Sequence, residues 1–200
     1  MANTDFLIFL DANQYLDFYR TIAGRKLLDA LIEQSEFIFV SAQIVEEVQR
    51  NKLTVAADFF RGKLEQLKIN EFSVPDHLLE LSAETSNLRD DLRKINEDVK
   101  KIKKRLETSF ADTLQKISRS EDGVSKALDQ IFKRAVPHTD EVITLARRRK
   151  EFGTPPGKRA GPLGDQITWE LLLAHSKDTS KVWIISKDSD YLTKGLGKLF

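Results

Sequence analysis

With 200 residues, 40% of them hydrophobic, the chain is long enough for one α/β domain plus an insertion. Its net charge of +1 excludes the global basic signature of a nucleic-acid binder, so any such binding must rest on a local patch. With no cysteine, disulfides and thiolate metal sites are excluded, and its three histidines (His77, His138 and His175) are too far apart in sequence to suggest a zinc site.

Residues 6–10 are all apolar and run straight into Asp11, with Asn13 close behind. Such a run reads as a strand buried on both faces at the centre of a parallel sheet. Open α/β sheets place ligand sites at the C-terminal ends of their strands. A carboxylate buried there should meet a cation, a hydrogen-bond donor or water. Capping of the next helix explains Asp11 equally well. Residues 15–23 read as a short helix stopped by Gly24. Residues 25–34 form a second, with Leu27, Leu28, Leu31 and Ile32 on one face.

Residues 37–40 (FIFV) are a second buried strand, and Ser41 caps a third helix. Ile44, Val45 and Val48 make that helix's apolar side, and it continues through Phe59, Phe60, Leu64 and Leu67. Glu46 and Glu47 project about 100° apart. One of them can face a cleft while the other faces solvent. Residues 68–74 alternate and read as a short edge strand closed by Pro75.

The character changes at Asp76. Leu78, Leu81, Thr85, Leu88, Leu92, Ile95, Val99, Ile102 and Leu106 recur at alternating spacings of three and four. This is a heptad stripe. Phe110, Leu114 and Ile117 follow with a stutter. After the break at residues 120–123, Val124, Leu128, Ile131 and Ala135 continue on a shorter helix. A helical hairpin inserted over 76–136, its long arm folded on the returning one, fits this pattern. A homodimeric coiled coil competes with it. The 32% charged fraction belongs largely to solvated helix faces, with a weak grip on a phosphate backbone as the alternative for runs such as VKKIKKR.

Pro137 ends the insertion, and Thr139 caps another helix with Asp140 and Glu141 in its first turn. That helix closes in Arg147, Arg148, Arg149 and Lys150, and a loop rich in glycine and proline adds Lys158 and Arg159. Together they form the candidate nucleic-acid patch, with helix capping as the plainer reading. Asp165 opens the next helix, which carries Ile167, Leu171, Leu172 and His175. Residues 182–186 form a third apolar strand running into Lys187, Asp188, Ser189 and Asp190.

Strands alternating with helices imply parallel pairing. Asp11 and Asp188 then share one sheet edge with Glu46 or Glu47. Asp165 is the least secure member, on the expectation that the helix preceding the third strand starts at the opposite edge. Carboxylates gathered at one point need a cation to ionise together. Oxygen-only ligands select Mg²⁺ or Mn²⁺. Such an ion suits phosphodiester hydrolysis.

Four pieces in this order carry a family resemblance: FLDAN, IVEEVQRN, PPG followed by GDQITWE, and IISKDSD. The chain resembles a PIN-domain nuclease, in particular the bacterial PIN-like proteins with a long helical insertion. The resemblance covers about residues 5–75 and 138–195. It implies an α/β fold: a PIN-like central parallel sheet flanked by helices, with the coiled-coil-like hairpin inserted. The core is residues 1–75 and 137–200. The resemblance also implies a metal-dependent endoribonuclease, in a toxin or defence setting, whose metal-activated water attacks RNA or, less often, DNA without a covalent intermediate. Matched by position, Asp11, Glu47, Asp165 and Asp188 would be the catalytic, metal-binding acids. Glu47 is preferred over Glu46 because an apolar and then a basic residue follow the family's acid, as in EVQR. Asp190 matches a frequently acidic neighbour. Ser186 fills the usual Ser/Thr place, and Asn13 supports the first acid.

PIN sheets usually have a fifth strand after the last motif, so a truncated C-terminal strand is expected. The alternative function is a non-catalytic PIN-like module that engages nucleic acid or protein through its coiled-coil arm. A homodimer or a partner protein is expected at that arm. No apolar stretch reaches the ~18 residues of a membrane span, and no secretory signal pattern opens the chain. A soluble, cytoplasmic protein is expected.

Overall fold

The structure is a computed structural model that describes residues 6–22, 24–67, 83–156 and 161–187. Strand β1 (Phe6–Leu10) lies at the centre of a parallel sheet, between β2 (Ile38–Phe39) and β3 (Lys181–Ile185). Phe9 aligns with Phe39 on one side and with Ile184 on the other. Leu7, Phe9 and Leu10 are buried, as an apolar run covered on both faces should be.

The second strand is shorter than the apolar run. Phe37 falls in a 3₁₀ turn (Ser35–Phe37) and stacks on Phe6, with ring centroids 4.6 Å apart. Beyond β2 the sheet is prolonged by a parallel bridge. The Val136 N–H donates to the Val40 carbonyl at 2.9 Å, and the Ala42 N–H donates to the Val136 carbonyl at 2.9 Å. Strand β3 departs from the expected burial. Trp183, Ile184 and Ile185 are 61%, 40% and 46% exposed. An apolar run reads alike in a central and an outer strand, and among the described residues β3 pairs on one side only. The strand expected at 68–74 lies outside the described residues.

The helices are α1 (Ala12–Leu16), α2 (Arg25–Glu33), α3 (Ala42–Gln66), α4 (Ala83–Ser118), α5 (Gly123–Phe132), α6 (Asp140–Phe152) and α7 (Gly164–His175). The first begins earlier than expected, because Asp11 caps it, and passes into a 3₁₀ turn (Asp17–Tyr19). In α2 Leu28 is buried, but Leu27 is 65% exposed. Helix α6 stops at Gly153, whose φ of 65° is a left-handed cap that glycine adopts without strain. His175 ends α7, with its ring against Phe39. None of the described helices is long and apolar enough to cross a membrane.

The chain turns back after α4 as expected, but the long helix does not take the returning one as its main partner. Helix α4 lies along α3, with Phe110 stacked on Phe60 at 4.2 Å, and α5 packs against α2. Leu128, Ile131 and Phe132 of α5 are buried in one core with β1 and α1, and Phe132 meets the Tyr15 ring edge-on at 5.3 Å.

A buried polar cluster ties α3 to the α4–α5 turn. The Lys52 ammonium, on a side chain only 3% exposed, donates to Ser120 Oγ at 2.6 Å and Ser125 Oγ at 3.0 Å. Ser125 Oγ also bonds the Tyr19 hydroxyl at 2.9 Å. Burial holds the Lys52 pKa below the usual lysine value, and the Asp122 carboxylate partly offsets that. Lys52→Met keeps the chain's bulk and removes its donor. It should cost about 1–3 kcal/mol in urea unfolding, the usual worth of hydrogen bonds made by a charged group.

Candidate active site

Three elements bring carboxylates to one place. Asp11 stands where β1 ends, and its backbone N–H donates to the Ile185 carbonyl of β3 at 3.1 Å. Its Oδ1 accepts from the Ala12 N–H at 2.8 Å, while its Oδ2 accepts from Ser186 Oγ at 3.1 Å. Capping and site geometry therefore coexist: one oxygen caps α1, and the other is oriented from β3. Lys187 donates to Asp17 Oδ2, which fixes the chain just past β3. Asp188 and Asp190 follow directly and lie outside the described residues.

Glu47 sits in the second turn of α3, whose start is set by Ser41. The Ser41 hydroxyl accepts from the Ile44 N–H at 3.3 Å and bonds Thr168 Oγ1 of α7 at 2.9 Å. Both side chains are buried. This contact locks the start of α3 to α7 and so fixes Glu47 relative to Asp165 in the first turn of α7. Gly164 lies against the Gln43 side chain, whose amide a Cβ there, 2.9 Å from Nε2, would push aside.

The result is a cavity of about 440 Å³ lined by Asp11, Asn13, Gln43, Glu47, Arg50, Asn51, Pro156, Pro162, Gly164 and Asp165. Glu47 is half-buried and faces it, whereas Glu46 is exposed and does not line it. The Glu47 pKa is raised by burial first, then by the Asp11 and Asp165 charges, with Arg50 opposing. Glu47 thus feels both other carboxylates.

The donors suit a hard divalent cation: they are oxygens, and their mutual repulsion is what a cation relieves. Among the described residues no group of three such side chains is close enough to hold an ion. The described part of the site therefore has the chemistry for a metal but not a closed cage.

Asp165 reaches the cavity because α7 runs back against the strand it feeds, so its start lies at the edge where the strands end, and the expectation that it would start at the opposite edge is corrected. The described ends of the loop before α7 are pinned. Arg149 Nε donates to Glu170 Oε1 at 2.6 Å and its Nη1 donates to the Pro155 carbonyl at 2.8 Å. Lys150 donates to the Gly161 carbonyl, and Gln166 Nε2 to the buried Pro156 carbonyl at 3.0 Å. Two members of the expected basic patch, Arg149 and Lys150, thus hold this loop. Arg147 and Arg148 are exposed, the latter over the Phe152 ring at 5.8 Å. Lys158 and Arg159 lie outside the described residues.

Sequence reasoning missed Gln43, Arg50 and Asn51. Their signal was present: with Glu47 they stand at i, i+4, i+7 and i+8, one helix face.

A family model described as PIN domain matches residues 8–191. Comparison with the curated proteins and with solved structures gives no match.

Proposed function

The chain belongs to the PIN domain family, whose members are generally nucleases, and from that premise we propose that it is a metal-dependent endoribonuclease. One observation carries the reading: carboxylates from β1, α3 and α7 line a single cavity. Asp11, Glu47 and Asp165, with Asp188, would hold Mg²⁺ or Mn²⁺. Such an ion, when bound, lowers the pKa of a water ligand and offsets charge on a phosphate.

The chain's own residues do the positioning. Ser186 orients Asp11, and the Ser41–Thr168 contact sets Glu47 against Asp165. Arg50 places a positive charge beside the acids, where a phosphate would sit. Exposed Arg147 and Arg148 serve backbone contacts outside the cavity. RNA is the substrate of this proposal, DNA the alternative, and a cytoplasmic toxin or defence role is the setting.

A second reading, a non-catalytic interaction module, draws on the lack of a three-carboxylate group close enough to hold an ion among the described residues. Incubating purified protein with end-labelled single-stranded RNA and DNA, with Mn²⁺ and then with EDTA, separates the two. The nuclease reading expects RNA cleavage that stops with EDTA. Intact strands in every lane would favour the interaction module.

A further inference from the structure

Helix α4 has 36 residues, about 54 Å of helix. Its C-terminal half is held by the fold: Phe110 stacks on Phe60, Leu114 packs on the core, and Ile117 is buried. Its N-terminal half presents an apolar stripe to solvent. Leu88, Leu92, Ile95 and Ile102 are 59%, 36%, 48% and 49% exposed. With Val99 and Leu106 they keep the alternating three–four spacing of a coiled-coil seam. Little else there supports a helix. The pairs Asp91–Lys94 (3.8 Å), Arg93–Glu97 (3.7 Å) and Asp98–Lys101 (3.0 Å) are exposed and contribute little. Most helix stability comes from packing an apolar face, and this face lacks a cover among the described residues.

We propose that the stripe is the seam of a parallel, in-register coiled coil with a second copy of this chain. The charges beside the seam select both partner and direction. With Leu92, Val99 and Leu106 at a and Leu88, Ile95 and Ile102 at d, Asp91 and Asp98 occupy g, and Asn96 and Lys103 occupy e. In a parallel pair each g residue meets the e residue five positions on in the other chain. Asp98 then faces Lys103 of the second copy, and Asp91 faces Asn96. An antiparallel pair sets g against g: aligned so that all six seam residues pair, it puts Asp98 against Asp98 of the second copy at its centre, with Asp91 facing Arg105, also at g, on either side. The parallel pair has no like-charge contact among these positions, so the charges favour that direction. Each α4 joins its own core at its C-terminal half, so a parallel seam carries the cores at one end of the arm.

Light scattering behind size exclusion tests this on the full chain. The wild type should show an integer multiple, two or more, of 22.9 kDa. Ile95→Glu should give the monomer mass. Because that change can also melt the helix, Asp98→Lys is the second arm. It should weaken association at least about tenfold by opposing Lys103, with unchanged far-UV circular dichroism. Adding Lys103→Asp to the same chain should restore it. A monomeric wild type at every concentration overturns the proposal, whether the cover is this chain's own residues 68–82 or another protein. Association that Ile95→Glu leaves intact, or that Asp98→Lys leaves unchanged or tightens, also overturns it.

Discussion

Asp11→Asn should lower the RNA cleavage proposed above by about 10²–10³-fold, the scale on which enzymes lose rate when one preorganised charge-stabilising group is removed, while the protein stays folded. The structure explains why the two effects separate. Asn keeps an oxygen to accept from the Ala12 N–H, now 2.8 Å from Asp11 Oδ1, and Asn caps helices as well as Asp does. Its amide also replaces the oxygen that accepts from Ser186 Oγ at 3.1 Å, so only the charge and that one contact change. Steady-state rates beside a thermal melt check both halves. A melting temperature several degrees lower would mean that the Asp11 charge or its Ser186 contact serves the fold, and undiminished cleavage would remove it from the chemistry.

Glu47→Gln has the second large effect, and it moves activity and stability in opposite directions. Its carboxyl is half-buried beside two other acids, so its folded pKa lies above the ordinary value of 4.5. Below 4.5 both folded and unfolded chains hold the proton, and the site costs nothing. As pH rises through the window up to the folded pKa, the unfolded chain loses its proton first. Stability falls across that window, and the cost persists at higher pH. Gln cannot ionise, so without metal the variant should melt higher than the wild type at pH 7 and equal it near pH 4. Its cleavage should fall by about two orders of magnitude. Melts at both pH values test the sign: a variant less stable at pH 7 would show that Glu47 serves the fold.

Much of the site could be read from the chain because its features are local. An apolar run meeting Asp11 marks the end of a central strand, and Ser41 before an amphipathic segment marks a helix start. Asp165 was legible after all, and doubting it was a misjudgement of direction. A helix that feeds a parallel strand ends where that strand begins, so α7 starts at the edge where the strands end, as the Ser41–Thr168 bond shows. Arg50 and Asn51 were hidden: charged and polar residues on a helix look like solvated surface until the opposite wall of the cavity is known. The partner of α4 was also illegible, since an apolar heptad stripe specifies a seam and not what fills it. The exposure of β3 follows the same logic, because an apolar run records hydrophobicity but not the number of neighbours.

The central claim is that acids from three separate elements act as one cation site. Titration calorimetry of Mn²⁺ into the full chain tests it most directly, beside Asp11→Asn, Glu47→Gln and Asp165→Asn. The account predicts a saturable heat in the wild type that each substitution weakens or abolishes. The same heat in all four proteins, or none in the folded wild type, would contradict it.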